Sequence, residues 1–437
     1  MSKNTVKPSI LPGFMELLPN EQILFNNMKD TIKRNYEKFG FLPIDTPLIE
    51  KSEVLLAKGG GETEKQVYRF EKGSRDMSLR FDLTVPLARY VAQYYPDLNF
   101  PFRRYHIGKV YRGERNQRGR YREFYQCDID IIGNQNLNII NDAEIPALIY
   151  ATFKDLDIGD FTIKINNRKL LRGFFNNISV DDITKVLRVI DKLDKIGLDR
   201  VKKELVGLNL NGENIDEIIK FIDIKGNNNE IIDNLKKINI NNELFQEGLD
   251  ELSNVIKYIN LFGVPEEYYK LDLSMVRGLD YYTGTVYETI LNDYPELGSI
   301  CGGGRYEDLA GHYTKQKLPG VGMSIGLTRL FFQLKEANII KAEESSLTKV
   351  LIIPMKKDFM KRSLEIGNSL RKMNISTQIY LESGKLGKKF NYADKLNLPY
   401  VIIIGEEEIE KNLYALRNMK TGEQESLSVE ELINSLK

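Results

Sequence analysis

The chain has 437 residues, enough for two or three domains, and its 42% hydrophobic and 28% charged content excludes wholesale disorder. Lys plus Arg and Asp plus Glu are both 62, so no global field draws in polyanions and a nucleic-acid partner has to be met by a local basic patch. Two cysteines, Cys127 and Cys301, exclude a disulfide framework, and with only two histidines, His106 and His312, no structural zinc is expected.

The N-terminal stretch to Ile10 lacks the apolar core of a signal peptide, and aliphatic runs such as Val401–Ile404 are too short to span a bilayer. A soluble cytoplasmic protein without membrane association is expected. Over residues 20–39, Leu24, Met28, Ile32 and Phe39 recur at helical spacing, and Gly40 follows as a C-cap. Pro43 and Pro47 then break the pattern, and strand-like segments run to about Gly133. In Leu79–Val85, alternation predicts a strand with Arg80, Asp82 and Thr84 on one face, where an acid and a hydroxyl suit an ammonium group. A half-exposed strand of a meander would read the same way.

Between Arg103 and Arg122, eight of twenty residues are Lys or Arg and only Glu114 is acidic. They predict a strand (105–112), a glycine-containing loop (113–119) and a second strand (121–132). On that second strand Arg122, Phe124, Gln126, Asp128 and Asp130 share one face, while Tyr125, Cys127, Ile129 and Ile131 form an ordinary core face. A floor carrying cation, aromatic ring and acid suits a nucleotide, since guanidinium groups grip phosphates and rings stack on bases. The bland alternative is a solvated sheet face with a basic loop.

Residues 163–260 are rich in Asn, Lys, Asp and Ile with helical periodicity, which predicts a mainly helical insertion. Strand-like alternation returns over 271–306, where Arg277-Gly278-Leu279-Asp280-Tyr281-Tyr282-Thr283-Gly284 sets a cation, an acid and two phenols between glycines, and 325–336 reads as a helix. A polar linker at 341–348 leads to strands and helices in alternation over 349–437, a small α/β domain closed by a hairpin at Lys420-Thr421-Gly422.

Some motifs fail on inspection. Neither Gly59-Gly60-Gly61 nor Gly302-Gly303-Gly304 precedes the Lys-Ser/Thr pair of a P-loop. Gly322-Met323-Ser324-Ile325-Gly326 has the letters of a hydrolase elbow, but no histidine follows it.

Taken together, residues 40–47 (GFLPIDTP), 111–126 (YRGERNQRGRYREFYQ) and 320–330 (GVGMSIGLTRL) resemble motifs 1, 2 and 3 of class II aminoacyl-tRNA synthetases. Residues 277–283 (RGLDYYT) are similar to a signature of the histidyl-tRNA synthetase family in particular. In the tail, Lys388-Lys389-Phe390 and Thr421-Gly422-Glu423-Gln424 resemble that family's anticodon-binding domain. The resemblance implies an α/β chain: an α+β catalytic core on a mainly antiparallel sheet over 1–340, interrupted by the insertion, then the linker and the C-terminal domain. It also implies a homodimer through motif 1, and partners L-histidine, ATP with Mg²⁺ and tRNA(His).

By the same resemblance, Arg112, Arg277 and Arg329 are the catalytic cations. Arg112 would grip the α-phosphate, Arg277 would approach it from the opposite side where other class members use a metal ion, and Arg329 would hold the γ-phosphate. Glu114 would face the adenine and Phe124 would stack on it. Asp82, Thr84 and Gln126 would hold the amino and carboxylate end of histidine, with Leu83, Arg112 and Arg277 also bordering it, Asp130 and Tyr282 would read the imidazole, and Tyr281 would shape the pocket. Gln117 and Arg118 would meet the tRNA acceptor end. Asp82 and Asp130 depart from the Glu that many bacterial members carry, a shorter arm with the same charge. The rival within the resemblance is the non-catalytic, histidine-sensing regulatory subunit of ATP phosphoribosyltransferase. That relative lacks the anticodon domain and usually degrades the Arg277–Thr283 signature.

Overall fold

The computed structural model describes residues 6–57, 62–114, 119–278, 282–308 and 310–437. The chain divides into two compact units, one built mainly from Lys29–Ile340 and the other from Glu16–Met28 with Lys341–Lys437.

In the first unit, the later half of the helix Pro19–Lys38 buries Ile32 and Tyr36, four residues apart as an apolar helix face requires. Gly40 ends it at φ +76°, its N–H on the Glu37 carbonyl at 3.0 Å and the Phe41 N–H on the Tyr36 carbonyl at 3.1 Å, the left-handed cap expected there. After β1 (Leu42–Pro43), strands β2 (Ile49–Lys51), β3 (Arg69–Lys72) and β4 (Arg75–Leu79) form a small antiparallel sheet in the order β2-β4-β3. The long pair β5 (Phe102–Tyr111) and β6 (Glu123–Ile132) follows. Then come β7 (Phe161–Asn167), β8 (Tyr269–Leu271), β9 (Thr285–Leu291), β10 (Cys301–Tyr306) and β11 (Gly320–Ile325). Among the described residues these make an eight-stranded sheet ordered β1-β5-β6-β11-β10-β9-β7-β8. It is antiparallel except where β1 meets β5 and β7 meets β8. The mainly antiparallel sheet expected of the core is what is observed.

Two expectations need correction. The strand predicted over Leu79–Val85 stops at Leu79, and Thr84–Gln93 is a helix. Leu83 already has helical dihedrals, φ −103° and ψ −7°, and Asp82 Oδ1 accepts the Val85 N–H at 3.0 Å. Asp at a helix start with Pro86 in the first turn is a nucleation signal that outweighs four residues of alternation. Arg80, Asp82 and Thr84 therefore share no strand face, and Arg80 is buried with its Nε on the Lys109 carbonyl at 2.8 Å. Second, the helical run begins at Arg168 rather than 163, because Phe161–Asn167 is a sheet strand between β8 and β9; the helices continue to Leu261.

The second unit has its own sheet, ordered β13-β12-β14-β15-β16, from β12 (Val350–Pro354), β13 (Thr377–Ile379), β14 (Tyr400–Ile404), β15 (Tyr414–Asn418) and β16 (Gln424–Leu427). β12 runs parallel to β13 and β14, as the strand–helix alternation predicts. A closing helix, Val429–Leu436, starts on a capping box of Ser428 and Glu431 that the sequence reading passes over. No helix among the described residues is long and apolar enough to cross a membrane.

Candidate active site

Strand β6 lies between β5 and β11, so both of its hydrogen-bonding edges are paired and only its two side-chain faces remain to be filled. Cys127, Ile129 and Ile131 are fully buried in the core. The opposite face carries Phe124 and Gln126 into an open cleft, while Asp128 and Asp130 sit deeper, only 4% and 5% exposed. The floor foreseen from alternation exists, but its acidic end is enclosed rather than solvated.

The cleft has a volume of about 400 Å³. Arg112, Glu114, Phe124, Arg277, Tyr282 and Arg329 all line it, from three separate stretches of sequence. Arg112 leaves the end of β5, donates from Nε to the Phe81 carbonyl at 3.0 Å, and holds its guanidinium 5.2 Å from the Phe124 ring centre. Arg329 stands on the first turn of the helix Leu327–Glu336 and donates to the Leu297 carbonyl at 3.0 Å. Its affinity for a proton is lowered by partial burial and then by Arg120 and Arg277, which marks a locally cationic wall. Arg277 pairs with Glu288 and reaches the Ser299 hydroxyl at 2.6 Å. Glu114 meets Arg120 at 3.0 Å.

A smaller polar recess shares Tyr282 and Ser324 with the cleft and adds Thr84, Asp128, Asp130 and Tyr306. Asp130 forms a buried ion pair with Arg104 of β5, and its Oδ1 accepts the Tyr306 hydroxyl at 2.8 Å. Gln126 Nε2 donates to Ser324 Oγ at 2.9 Å, and Ser324 in turn bonds the carboxylate of Asp128. Burial raises the pKa of Asp82, Asp128 and Asp130, with Asp128 reaching about 7. Burial likewise pushes the Tyr282 phenol up, so it stays a neutral donor and acceptor at ordinary pH.

Glycines make this room. A side chain at Gly302 would put its Cβ 2.4 Å from Arg277 Nε, and one at Gly322 would lie 2.3 Å from Asp130 Oδ1. The triplet at 302–304 that cannot be a P-loop is thus the thin strand on which Arg277 rests. Ser324 lies within β11 as a hydrogen-bond relay, not on a nucleophile elbow.

Of the expected histidine-binding residues, Thr84 and Gln126 reach the two hollows, Asp82 caps the helix beside them, and Leu83 is fully buried in the core. Tyr281, Gln117 and Arg118 lie outside the described residues. Sequence reasoning assigned no site role to Asp128, Ser324, Ser299 or Arg104, although Asp128 lies on the very face it singled out. His106 is buried against Asp45 at 2.9 Å, burial lowers its pKa to about 3, and it lines neither the cleft nor the recess; His312 is exposed.

An antiparallel sheet carrying paired arginines over an aromatic floor, with motifs 1, 2 and 3 on β1, β5–β6 and β11, is the catalytic core of a class II aminoacyl-tRNA synthetase. The family model "Histidyl-tRNA synthetase" matches residues 13–330, and "Anticodon binding domain" matches 349–437. A histidine–tRNA ligase of Clostridium tetani is 64% identical over 438 residues, covering 100% of both chains, and that of Finegoldia magna is 55% identical over 99% of this chain and 100% of its own. The crystal structure of histidyl-tRNA synthetase from Nostoc sp. PCC 7120 superposes with a TM-score of 0.93 at 40% identity, covering 99% of this chain and 100% of that one. The chain belongs to the histidyl-tRNA synthetase family. Its activity is histidine–tRNA ligation, and the regulatory-subunit alternative is set aside by full-length ligase relatives at this identity.

Proposed function

We propose that the cleft takes ATP, entering as its magnesium complex, and that the adjoining recess takes histidine. The observation that carries this is the convergence of Arg112, Arg277 and Arg329 with Phe124 on one cleft of about 400 Å³ that shares Tyr282 with a buried acidic recess. Phe124 stacks on the adenine, Glu114 faces its edge, Arg112 holds the α-phosphate and Arg329 the γ-phosphate. Asp82, Thr84 and Gln126 hold the ammonium and carboxylate of histidine, and the imidazole enters the recess lined by Asp130 and Tyr282.

A histidine carboxylate oxygen attacks the α-phosphorus, the bond to the β-phosphate oxygen breaks, and pyrophosphate leaves. Arg112 and Arg277 flank the phosphorus and stabilise the negative charge that grows on its oxygens, so the protein contributes position and field and no nucleophile. The terminal ribose hydroxyl of tRNA(His) then attacks the activated carbonyl and AMP departs. Residues 349–437 read the anticodon, 341–348 link them to the catalytic core of 1–340, and Gln117 and Arg118 face the acceptor end. Exposed Leu42, Leu48 and Ile49 around motif 1 support a homodimer, and the setting is the cytoplasm.

ATP–pyrophosphate exchange with each of the twenty amino acids, without tRNA, tests the reading. Exchange driven by histidine alone is expected; exchange driven by another amino acid, or by none, refutes it.

A further inference from the structure

Arg277 and Arg329 are both held by one short turn. Pro295–Leu297 is a single 3-10 turn, closed by the Leu297 N–H on the Tyr294 carbonyl at 3.1 Å and the Gly298 N–H on the Pro295 carbonyl at 3.0 Å. Gly298 leaves the turn at φ +67°, a conformation that favours glycine. The Leu297 carbonyl accepts from Arg329 Nη2 at 3.0 Å, and two residues on the Ser299 hydroxyl accepts from Arg277 at 2.6 Å. A second donor shares the Leu297 carbonyl: Gln333 Nε2, at 2.9 Å. Arg329 and Gln333 are one turn apart on the helix Leu327–Glu336, so they lie on one face and converge on the same oxygen, whose two lone pairs take a donor each. Gln333 also lines the cleft, although it falls outside the stretch that resembles motif 3.

We propose that Gln333 is a positioning residue for Arg329: by tethering the Leu297 carbonyl to the helix, it fixes the acceptor that aims the guanidinium at the γ-phosphate. A guanidinium carries its N–H donors in a rigid fork, so with Nη2 held on the carbonyl the remaining donors point in a set direction. An arginine oriented beforehand also loses less side-chain freedom when it grips a ligand. The wall around it is cationic, since Arg120 and Arg277 both act on Arg329. A neutral amide can tether the turn there, whereas a lysine would add like-charge repulsion. Only the amide nitrogen of Gln333 can face a carbonyl oxygen, which settles how its side chain is turned. The inference rests on the reading that the cleft takes ATP with Arg329 on its γ-phosphate.

The test is calorimetric titration of the full chain with magnesium ATP and with AMP, which lacks the γ-phosphate. The same titrations are made on Gln333→Leu, Gln333→Glu, Arg329→Ala and the double variant Arg329→Ala/Gln333→Leu. Gln333→Leu keeps a similar size and should weaken ATP by about 3- to 10-fold, the scale of one lost hydrogen bond. AMP affinity should stay within about twofold, which also reports that the cleft is folded. Gln333→Glu sets a carboxylate beside Arg329 that competes with phosphate, and it should weaken ATP further still. In the Arg329→Ala background, Gln333→Leu should add less than about twofold, because the group it positions is gone. An unchanged ratio of ATP to AMP affinity in both single Gln333 variants would overturn the role of Gln333, and so would full additivity with Arg329→Ala. A wild-type chain that binds ATP no better than AMP would instead remove the underlying reading of Arg329, and the proposal with it.

Discussion

Arg277 and Glu288 form an ion pair on the wall of the cleft, and the same arginine nitrogen reaches the Ser299 hydroxyl at 2.6 Å. The guanidinium is about one-third exposed, so it faces the cleft while its orientation is set from β9 and from the turn before β10. Removing it with Arg277→Ala should lower kcat for histidyl-adenylate formation by roughly 10²- to 10³-fold, the scale of losing one preorganised donor to a transition-state oxygen. Glu288→Gln keeps the shape and releases the charge that aims the arginine, and a smaller fall in kcat with little change in either KM is expected. Single-turnover adenylation with circular-dichroism melts measures both; a folded Arg277→Ala protein with normal turnover would refute the assignment.

Gly302 offers an independent approach to the same arginine. Its missing side chain is the space that Arg277 Nε occupies, 2.4 Å from where a Cβ would stand. The atom in the way belongs to a long flexible side chain, so Gly302→Ala should push the guanidinium aside without breaking the β9–β10–β11 pairing. Melting should shift by no more than a few degrees while kcat falls at least about tenfold, since a misplacement near 1 Å is enough for such losses. Equal losses of stability and activity would show that the strand, not the arginine, had been disturbed.

What could be read in advance follows from how local each signal is. The alternation of β6 placed Phe124, Gln126 and Asp130 on one face because strand periodicity is a property of neighbouring residues. Alternation over Leu79–Val85 points to a strand where the chain forms a helix from Thr84, and the competing signal is equally local: Asp82 as a cap and Pro86 in the first turn. The enclosure of Asp130 by Arg104 and Tyr306 was not legible in the sequence. It depends on how β5, β6, β11 and β10 line up. Sheet register is set by pairings across more than a hundred residues, and no short motif encodes it.

Buried Asp142 and Arg305 make a prediction about stability alone. Arg305 Nε lies 3.0 Å from both Asp142 oxygens and its Nη2 lies 2.6 Å from one, with both side chains enclosed. This pair ties the helix Ile140–Leu156 to β10. Asp142→Ala would strand a buried guanidinium, which typically costs about 3–5 kcal/mol. A fall of several degrees in the first thermal transition is expected. An unchanged melt would mean that water reaches the arginine and the pair is not enclosed.

The recess also sets a pH dependence whose sign can be worked out. Asp128 holds its proton to about pH 7, against an ordinary value of 3.8, chiefly because of burial and then through the nearby charges of Asp130 and Asp82, with Arg104 and Ser324 opposing. Below pH 4 both folded and unfolded chains carry the proton, and the group has no effect on stability. Between about 4 and 7 the unfolded chain ionises while the folded one does not, so folding loses up to ~1.4 kcal/mol per pH unit, and above 7 the penalty stays constant. Asp82 and Asp130, also raised by burial, act in the same direction. Asp128→Asn removes the charge, so its melting temperature should exceed that of the unsubstituted chain by several degrees at pH 8, by about a third as much at pH 5 and by little below pH 4. A difference of equal size at pH 8 and pH 5 would show that Asp128 titrates as an ordinary carboxylate.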